Sequence, residues 1–585
     1  MTTVDPITME IVRHGLIAAA DEMKINLTRT AYNPIIYEVL DFSVGLFDRD
    51  GDIISQAAGL PIFLGNLGEA VKVVSQDVGL ENFELGDIYL INDTYTSGTH
   101  LNDVTVISPV FVNHGQELIG FSASRAHWLD MGGRDPGGWF TDTTEIYQEG
   151  LRMRSVRLYE AGEPNRSIYQ IIRDNVRFAD SLMGDLRAQI AAGRTGEQRF
   201  RAIVDHYGLE TVKACIAHMH TEGEQISRRA IADMKDGVYT AEAFMDDDGV
   251  AVDKPKVKVT VTIASDEMTV DLTGSEPQCA GPINCGLAAT ISGVRVAFKC
   301  VTSPLAPVTE GDFRPLNIVV PDDSMFNAQL PAPSGVYGII LMTLCDVIFK
   351  ALSEAIPDQI PAAHYCDVCA VFIFGTDPNT GRPYLHVEPE GGGWGAFANR
   401  DGENVLIAIA DGDTRNVPVE VIETRYPLRV ERYEVRQDSG GPGQFRGGLG
   451  HYRDYTILGH DAYLTTVQER TKCPPWGLAG GKDAAVNALI VNPETPQAES
   501  ILKVSAKPVK ANSLISVRTG GGGGYGGPFE RDPETVRLDV VRGYVSLEAA
   551  QRAYGVVLSP DTLGIDVEAT QQLRSPTESA RTYRK

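Results

Sequence analysis

The sequence predicts a multi-domain α+β protein, and three observations carry that prediction. A mixed stretch of helix and strand patterns opens the chain, an unbroken helical pattern runs from about Ser167 to Met234, and short apolar runs separated by glycine clusters fill the chain beyond residue 360. At 585 residues, 43% hydrophobic and 22% charged, the composition is an ordinary globular mixture with apolar material for more than one core. The changes of pattern place units at 1–235, 236–360 and 361–585: a mixed N-terminal unit under a helical layer, a middle mixed unit, and a β-rich C-terminal half.

Asp5 followed by Pro6 forms an N-cap with proline at the first helical position, and Ile7, Ile11, Leu16 and Met23 supply an apolar face. A helix is expected from Pro6 to Arg29. In IIYEVLDFSVGLFDRDGDIISQ, β-branched and aromatic residues flank Asp48-Arg49-Asp50-Gly51, the mark of a β-hairpin with Asp41 on or just before its first strand. Further strands are expected at DIYLIND, DVTVISPVFV and ELIGFSASRAHW, with the polar loop Thr94 to Asn102 between the first two. Within the helical pattern, a break is expected near Gly193 to Gly196. After Asp236, KPKVKVTVTI and MTVDLTG alternate with period two and read as strands. The ending SPTESARTYRK is polar and expected to fray.

Net charge is -26, from 78 acidic and 52 basic residues, so a nucleic-acid backbone or an anionic membrane surface would be repelled. No run approaches the roughly 20 apolar residues needed to span a bilayer, and MTTVDPITMEI lacks the basic start of an export signal. These features predict a cytoplasmic protein without nucleic-acid or membrane partners. Eight cysteines are too sparse for a disulfide framework. Cys366 and Cys369 form an isolated CxxC pair inside YCDVCAVFIFG, which reads as a buried strand, and a zinc site would want a second pair.

The loop GTHLNDVTV sets His100 and Asp103 three residues apart, and His127 follows in SASRAHWLD. Imidazole and carboxylate are ordinary ligands for a borderline divalent ion, and a short-spaced pair with one distant ligand is a common arrangement. Asp41 can complete the set. Taken by spacing alone, His-x-x-Asp also occurs by chance, and loop histidines are more often simply solvated or hydrogen-bonded.

Several segments extend the argument: RTAYNPIIYEVLDFSVGLFD, GDIYLINDTYTSGTHLNDVTV, TEIYQEGLRM, PPWGLAGG and TGGGGGYGGPFERD. They resemble the corresponding stretches of the hydantoinase B/oxoprolinase family over nearly the whole chain. That family includes N-methylhydantoinase, 5-oxoprolinase and caprolactamase and, more distantly, acetone and acetophenone carboxylases. The resemblance implies a metal site at Asp41, His100, Asp103 and His127, holding zinc, manganese or iron. It also implies a hydantoinase A-type partner subunit that binds ATP, a dimer of heterodimers, and ATP-dependent opening of a cyclic amide. Two other functions stay open at this stage: carboxylation of a ketone with bicarbonate, and a scaffold subunit without chemistry.

Asp93, Glu145 and Glu149 lie in or near the same segments as candidates for a general base or for orienting the ligand imidazoles, set against the alternative of solvated loop acids. Arg125, two residues before His127, shares its strand face and offers a guanidinium for a carboxylate or phosphate, or else for a structural ion pair. The glycine runs, among them SVRTGGGGGYGGP, lack the Gly-Lys-Ser/Thr ending of a phosphate loop, so close backbone packing is the favoured reading and ATP binding in this chain is not expected. His218 and His220, two apart on a helix, point to different sides and are assigned to surface or packing.

Overall fold

The computed structural model describes residues 4–575, so most of the polar C-terminal ending lies outside the described residues. The first helix, α1 (Pro6–Thr30), starts where the cap signal places it: the Asp5 carboxylate accepts from Ile7 N and Thr8 N at 3.0 Å. A short turn of helix, α2 (Pro34–Tyr37), leads into the hairpin β1 (Phe42–Asp48) and β2 (Ile53–Gln56). Next come α3 (Pro61–Val78), β3 (Ile88–Ile91), β4 (Asp103–Val112), β5 (Glu117–His127), β6 (Val156–Glu160) and β7 (Glu163–Pro164). These strands form one sheet in the order β2-β1-β5-β4-β3-β6-β7.

The two faces of this sheet are covered differently. Ile107, Phe121 and Ala123 pack with Leu67, Val71 and Val74 of α3. Val104 and Val106, on the other face, pack with Leu182, Leu186 and Ile190 of α5 (Ala179–Tyr207), which follows α4 (Arg166–Asp174). Because strand side chains alternate between faces, Asp103 and His127 fall on the α3 side with Ile107 and Ala123.

The expected break at Gly193 to Gly196 does not occur. Helix α5 continues to Tyr207, and the chain turns only at Gly208 before α6 (Leu209–Ala232). Gly193 and Gly196 serve instead for close packing: a Cβ at Gly193 would come within 3.3 Å of Ser108 Oγ, and one at Gly196 would overlap Met23 and Ser122. His220 is buried and His218 exposed, as their spacing predicts.

Strands β8 (Gly237–Phe244), β9 (Lys256–Ala264), β10 (Glu267–Asp271) and β11 (Leu316–Val319) form a second sheet. It is accompanied by two helices that the sequence reading does not contain, α7 (Leu287–Thr302) and α8 (Tyr337–Leu352). From Val371 onward come β12 (Val371–Thr376), β13 (Pro383–Glu388), α9 (Val419–Arg425), β14 (Leu428–Val435), β15 (His451–Ile457), β16 (Ala462–Val467), β17 (Ala488–Val491), β18 (Glu499–Ser500), β19 (Lys503–Val509) and β20 (Leu514–Arg518). They build a four-stranded and a five-stranded sheet.

The glycine clusters join these two sheets by direct backbone contact. Gly393 N donates to Gly520 O at 3.0 Å, Gly522 N to Gly448 O at 2.9 Å and Gly523 N to Ala363 O at 2.8 Å. A Cβ at Gly522 would overlap the Trp394 backbone and one at Gly523 the Trp476 carbonyl, so the glycines are required by close approach. The described residues end in three short helices, α10 (Pro533–Val541), α11 (Leu547–Tyr554) and α12 (Val567–Arg574), which the sequence patterns do not predict. The CxxC segment also departs from expectation: β12 begins only at Val371, and Cys366 and Cys369 hold left-handed φ of 55° and 42° in the irregular approach to it.

Candidate metal centre

Strand pairing does most of the assembly. In the β4–β5 register Asp103 stands opposite His127, and Thr105 opposite Arg125. His127 N donates to Asp41 O at 3.1 Å, which ties the residue before β1 to the end of β5. The loop before β4 closes on itself, with Asp103 N donating to His100 O at 3.2 Å, and so brings His100 over the same strand ends.

The result is a convergence of lone pairs. His100 Nε2 lies 2.9 Å from Asp103 Oδ1 and 3.1 Å from His127 Nδ1, and His127 Nδ1 lies 3.2 Å from Asp103 Oδ1. Asp41 Oδ2 closes the group at 3.9 Å from His127 Nδ1. A tetrahedral ion with bonds of about 2.0–2.1 Å has ligand–ligand edges of about 3.3 Å, close to these separations. His100, Asp103 and His127 are buried, whereas the Asp41 side chain keeps 20% exposure.

Two of the ligands have their other atom engaged elsewhere. His100 Nδ1 lies 3.2 Å from Gly335 O; a proton on Nδ1, donated to that carbonyl, leaves Nε2 as the free donor of electrons. Asp103 Oδ2 accepts from the Thr99 hydroxyl and, at 3.2 Å, from the Tyr337 hydroxyl, leaving Oδ1 for the centre. Burial would raise the Asp103 carboxyl, but His100 and His127 outweigh it and hold it well below the usual range. Asp41 moves the other way, pushed well above its usual value by burial and then by the charges of Asp103 and Asp411. Burial pushes the His127 imidazole down, toward the neutral form a ligand needs.

Among the described residues, buried polar atoms without a hydrogen-bond partner include Asp41 Oδ1, His127 Nε2 and Asp411 Oδ2. Asp411 comes from a loop pinned to this region by Ile62 N to Ala410 O at 3.1 Å and Arg415 N to Val39 O at 2.9 Å. Its carboxyl is pushed up to about 7 by burial and by Asp103 and Asp367. The donor set, its spacing and its unpaired carboxylate oxygens fit a divalent ion such as zinc, manganese or ferrous iron.

The other candidates have different surroundings. Arg125 is fully buried, and its hydrogen bonds go to neutral partners: Thr105 Oγ1 at 2.7 Å, Ser97 O at 2.9 Å and Asn66 Oδ1. It is therefore not presented to an anionic ligand; it clamps the His100 loop onto the sheet and α3, and burial lowers its pKa to about 10. Asp93 accepts from Thr96 within its own turn and lies 3.8 Å from Arg152. Glu145 is exposed at the edge of the short turn Ile146–Gln148, remote in character from a shielded base. Glu149 is buried against Ser334 and Gly335, and burial, offset by three hydrogen-bond donors, brings its pKa up to about 7. Tyr337, Gly335, Thr99 and Asp411 were not singled out from the sequence; three of them lie more than 200 residues beyond His127, and no local pattern marks them.

A family model for hydantoinase B/oxoprolinase matches residues 5–528. The chain belongs to that family. Among hydantoinase B-type relatives, the B-type chain of a putative D-/L-hydantoinase from Pseudomonas sp. (strain NS671) is 33% identical over 98% of each chain. The beta chain of the caprolactamase of Pseudomonas jessenii is 32% identical over 95% of this chain and 97% of its own. The crystal structure of the ATP-dependent caprolactamase from P. jessenii superposes with a TM-score of 0.91 at 29% identity, covering 98% of this chain and 100% of that one. A nucleotide-free acetone carboxylase also reaches 0.91, at 20% identity over 99% of this chain and 84% of that one, which shows a shared fold.

Proposed function

We propose that this hydantoinase B-type chain is the metal-binding subunit of an ATP-dependent hydrolase of cyclic amides. It acts with a hydantoinase A-type subunit that binds ATP, assembled as a dimer of heterodimers. The single observation that carries this reading is the meeting of His100 Nε2, His127 Nδ1 and Asp103 Oδ1 within 3.2 Å of one another, with Asp41 beside them.

A lactam or hydantoin ring resists water because its amide is resonance-stabilised and the opened product recloses, so coupling to ATP hydrolysis gives the reaction direction. A bound divalent ion, zinc before manganese or iron, supplies a Lewis acid for a carbonyl oxygen and lowers the pKa of water at neutral pH. The chain's residues prepare that chemistry. His100 is fixed in one tautomer by Gly335, Asp103 keeps Oδ1 for the centre while Oδ2 accepts from the Thr99 and Tyr337 hydroxyls, and Asp41 is the ligand reached from solvent. Burial of His100, Asp103 and His127 raises the strength of the charge interactions they make at the centre.

Names of relatives favour hydrolysis: the hydantoinase and caprolactamase chains match at 33% and 32% identity over nearly the full chain. Ketone carboxylation shares the fold with the acetone carboxylase neighbour and is separated by incorporation of labelled bicarbonate into product. The test is metal analysis of wild type beside His100→Ala and Asp103→Ala, then turnover of a lactam, hydantoin and 5-oxoproline panel with the ATP-binding partner. One ion per chain in wild type, lost in the folded variants, and ring opening with ADP release support the reading. A wild type that stays metal-free when offered zinc, manganese and iron overturns it in favour of a scaffold subunit.

A further inference from the structure

All four candidate ligands come from residues 41–127, yet the groups that orient two of them arrive from far along the chain. Gly335 O faces His100 Nδ1 at 3.2 Å, and the Tyr337 hydroxyl reaches Asp103 Oδ2 at 3.2 Å. Ser334 to Tyr337 form a strap that crosses the centre and enters α8. Its position therefore bears on which His100 nitrogen is free and, together with the Thr99 hydroxyl, on which Asp103 oxygen faces the ligand set.

One side chain stands behind this strap. Glu149 is 1% exposed, and its carboxylate accepts from Ser334 N at 3.1 Å on both oxygens and from Gly335 N at 3.0 Å. The Thr143 hydroxyl donates to the same carboxylate at 2.8 Å. The approach is close: a Cβ on Gly335 would stand 3.1 Å from Glu149 Oε1 and 3.3 Å from the Phe140 ring. Neighbouring bonds run the same way, with Ile146 N donating to Pro331 O at 2.9 Å and the Tyr95 hydroxyl to Ala332 O at 2.6 Å.

We propose that Glu149 is a positioning residue: by binding the strap's backbone N–H groups it fixes the Gly335 carbonyl and the Tyr337 hydroxyl, and through them the ring of His100 and the carboxylate of Asp103. It touches no ligand itself. When ionised, its carboxylate accepts from two backbone donors and a hydroxyl at once, whereas the Glu149→Gln side chain has the same shape but sets an NH2 donor against one of them. This inference rests on the metal-site reading above.

The test measures zinc affinity of full-length apo protein by chelator competition, and the visible absorption of the cobalt(II) form, for wild type and Glu149→Gln. Circular dichroism and thermal midpoint report whether the fold is kept. Loss of an outer partner of a metal ligand typically weakens binding about 10–100-fold, and that loss, with an altered cobalt spectrum in a folded variant, is the expected result. Equal affinity and identical spectra in a folded Glu149→Gln overturn the role of Glu149 while leaving the metal site standing. A wild type that binds neither ion overturns the metal reading and this inference together. Should Glu149→Gln fail to fold, Thr143→Val removes a single neutral donor from the same carboxylate. A drop of about threefold to tenfold is then expected, and an unchanged affinity overturns the proposal.

Discussion

Two buried clusters among the described residues meet the same geometric condition: His100, Asp103 and His127 in one, Asp346, His364 and Cys366 in the other, each with three ligand atoms within 4.8 Å of one another. What differs is the charge already inside. In the second cluster Asp346 Oδ1 lies 2.8 Å from His364 Nδ1, and the fully buried Arg470 brings Nη2 to 3.7 Å from Asp346 Oδ2. A guanidinium occupies the place where a cation would be wanted. Burial pushes the Cys366 thiol up to about 12. In the first cluster Arg125 is near enough for Asp103 to act on its charge, but its hydrogen bonds are spent on Thr105, Asn66 and Ser97. Convergence within 4.8 Å is common to both clusters; the first is set apart by its tighter approach within 3.2 Å and by the lack, among the described residues, of a cation paired to its acids.

The comparison breaks most directly on metal stoichiometry. Wild type should bind about one ion per chain, as a single four-ligand site requires; Asp103→Ala should take this to near zero, and Cys366→Ser should leave it at one. Elemental analysis of the three purified proteins decides it. Two ions per chain, or a loss on Cys366→Ser, would mean that Arg470 does not keep the second cluster free of metal.

The internal cation itself is the next target. Arg470→Met removes the guanidinium beside Asp346 and Glu469 and should destabilise the protein by about 3–5 kcal/mol, the usual consequence of leaving a buried charge unpaired. A thermal or urea midpoint equal to wild type would show that Arg470 does not compensate Asp346.

Asp367, between the two cysteines, gives a pH test of the same region. It is fully buried, accepts from Glu469 N at 2.6 Å, and its carboxyl is pushed up to about 7, chiefly by burial. A folded-state value above the unfolded one near 3.9 means that stability is full below about pH 4 and falls as pH rises through 7, because the unfolded chain releases its proton first. The shift from 3.8 to about 7 sets an upper bound on the order of 4 kcal/mol. Asp367→Asn cannot ionise, so its stability relative to wild type should improve between pH 4.5 and pH 8. A difference that stays constant across that range would contradict the assignment.

How much of this was legible in the sequence follows from where each signal lies. Asp103 and His127 stand at the ends of two strands that the sequence marks and that pair directly, whereas the set of four with Asp41 and His100 followed from the family resemblance, because His-x-x-Asp spacing alone also occurs by chance. The face of Arg125 was legible, but its neutral partners were not, because Asn66 belongs to α3, a continuous helix that the strand-centred reading of this segment leaves out. Helix α8, YGIILMTLCDVIFKAL, is apolar nearly all round because it is buried on every side, and so carries no amphipathic stripe. The strap residues Gly335 and Tyr337 reach the centre only through tertiary packing, and the glycine clusters announce close approach without saying what approaches.

The smallest expected effect concerns the two acids of TEIYQEG, which the sequence could not separate. Glu145 and Glu149 lie four residues apart around one short turn, yet the first is exposed and the second 1% accessible. Glu145→Gln changes a charge that water already screens, so stability should move by no more than about 0.5 kcal/mol. Zinc affinity should match wild type within the scatter of the titration. The same substitution at Glu149 is expected to weaken binding, so the pair forms an internal control: identical chemistry, neighbouring positions, and burial as the variable. If Glu145→Gln also loosened the metal, the effect at Glu149 would be one of net charge near the centre rather than of hydrogen bonds to the strap, and the distinction between the two acids would fall.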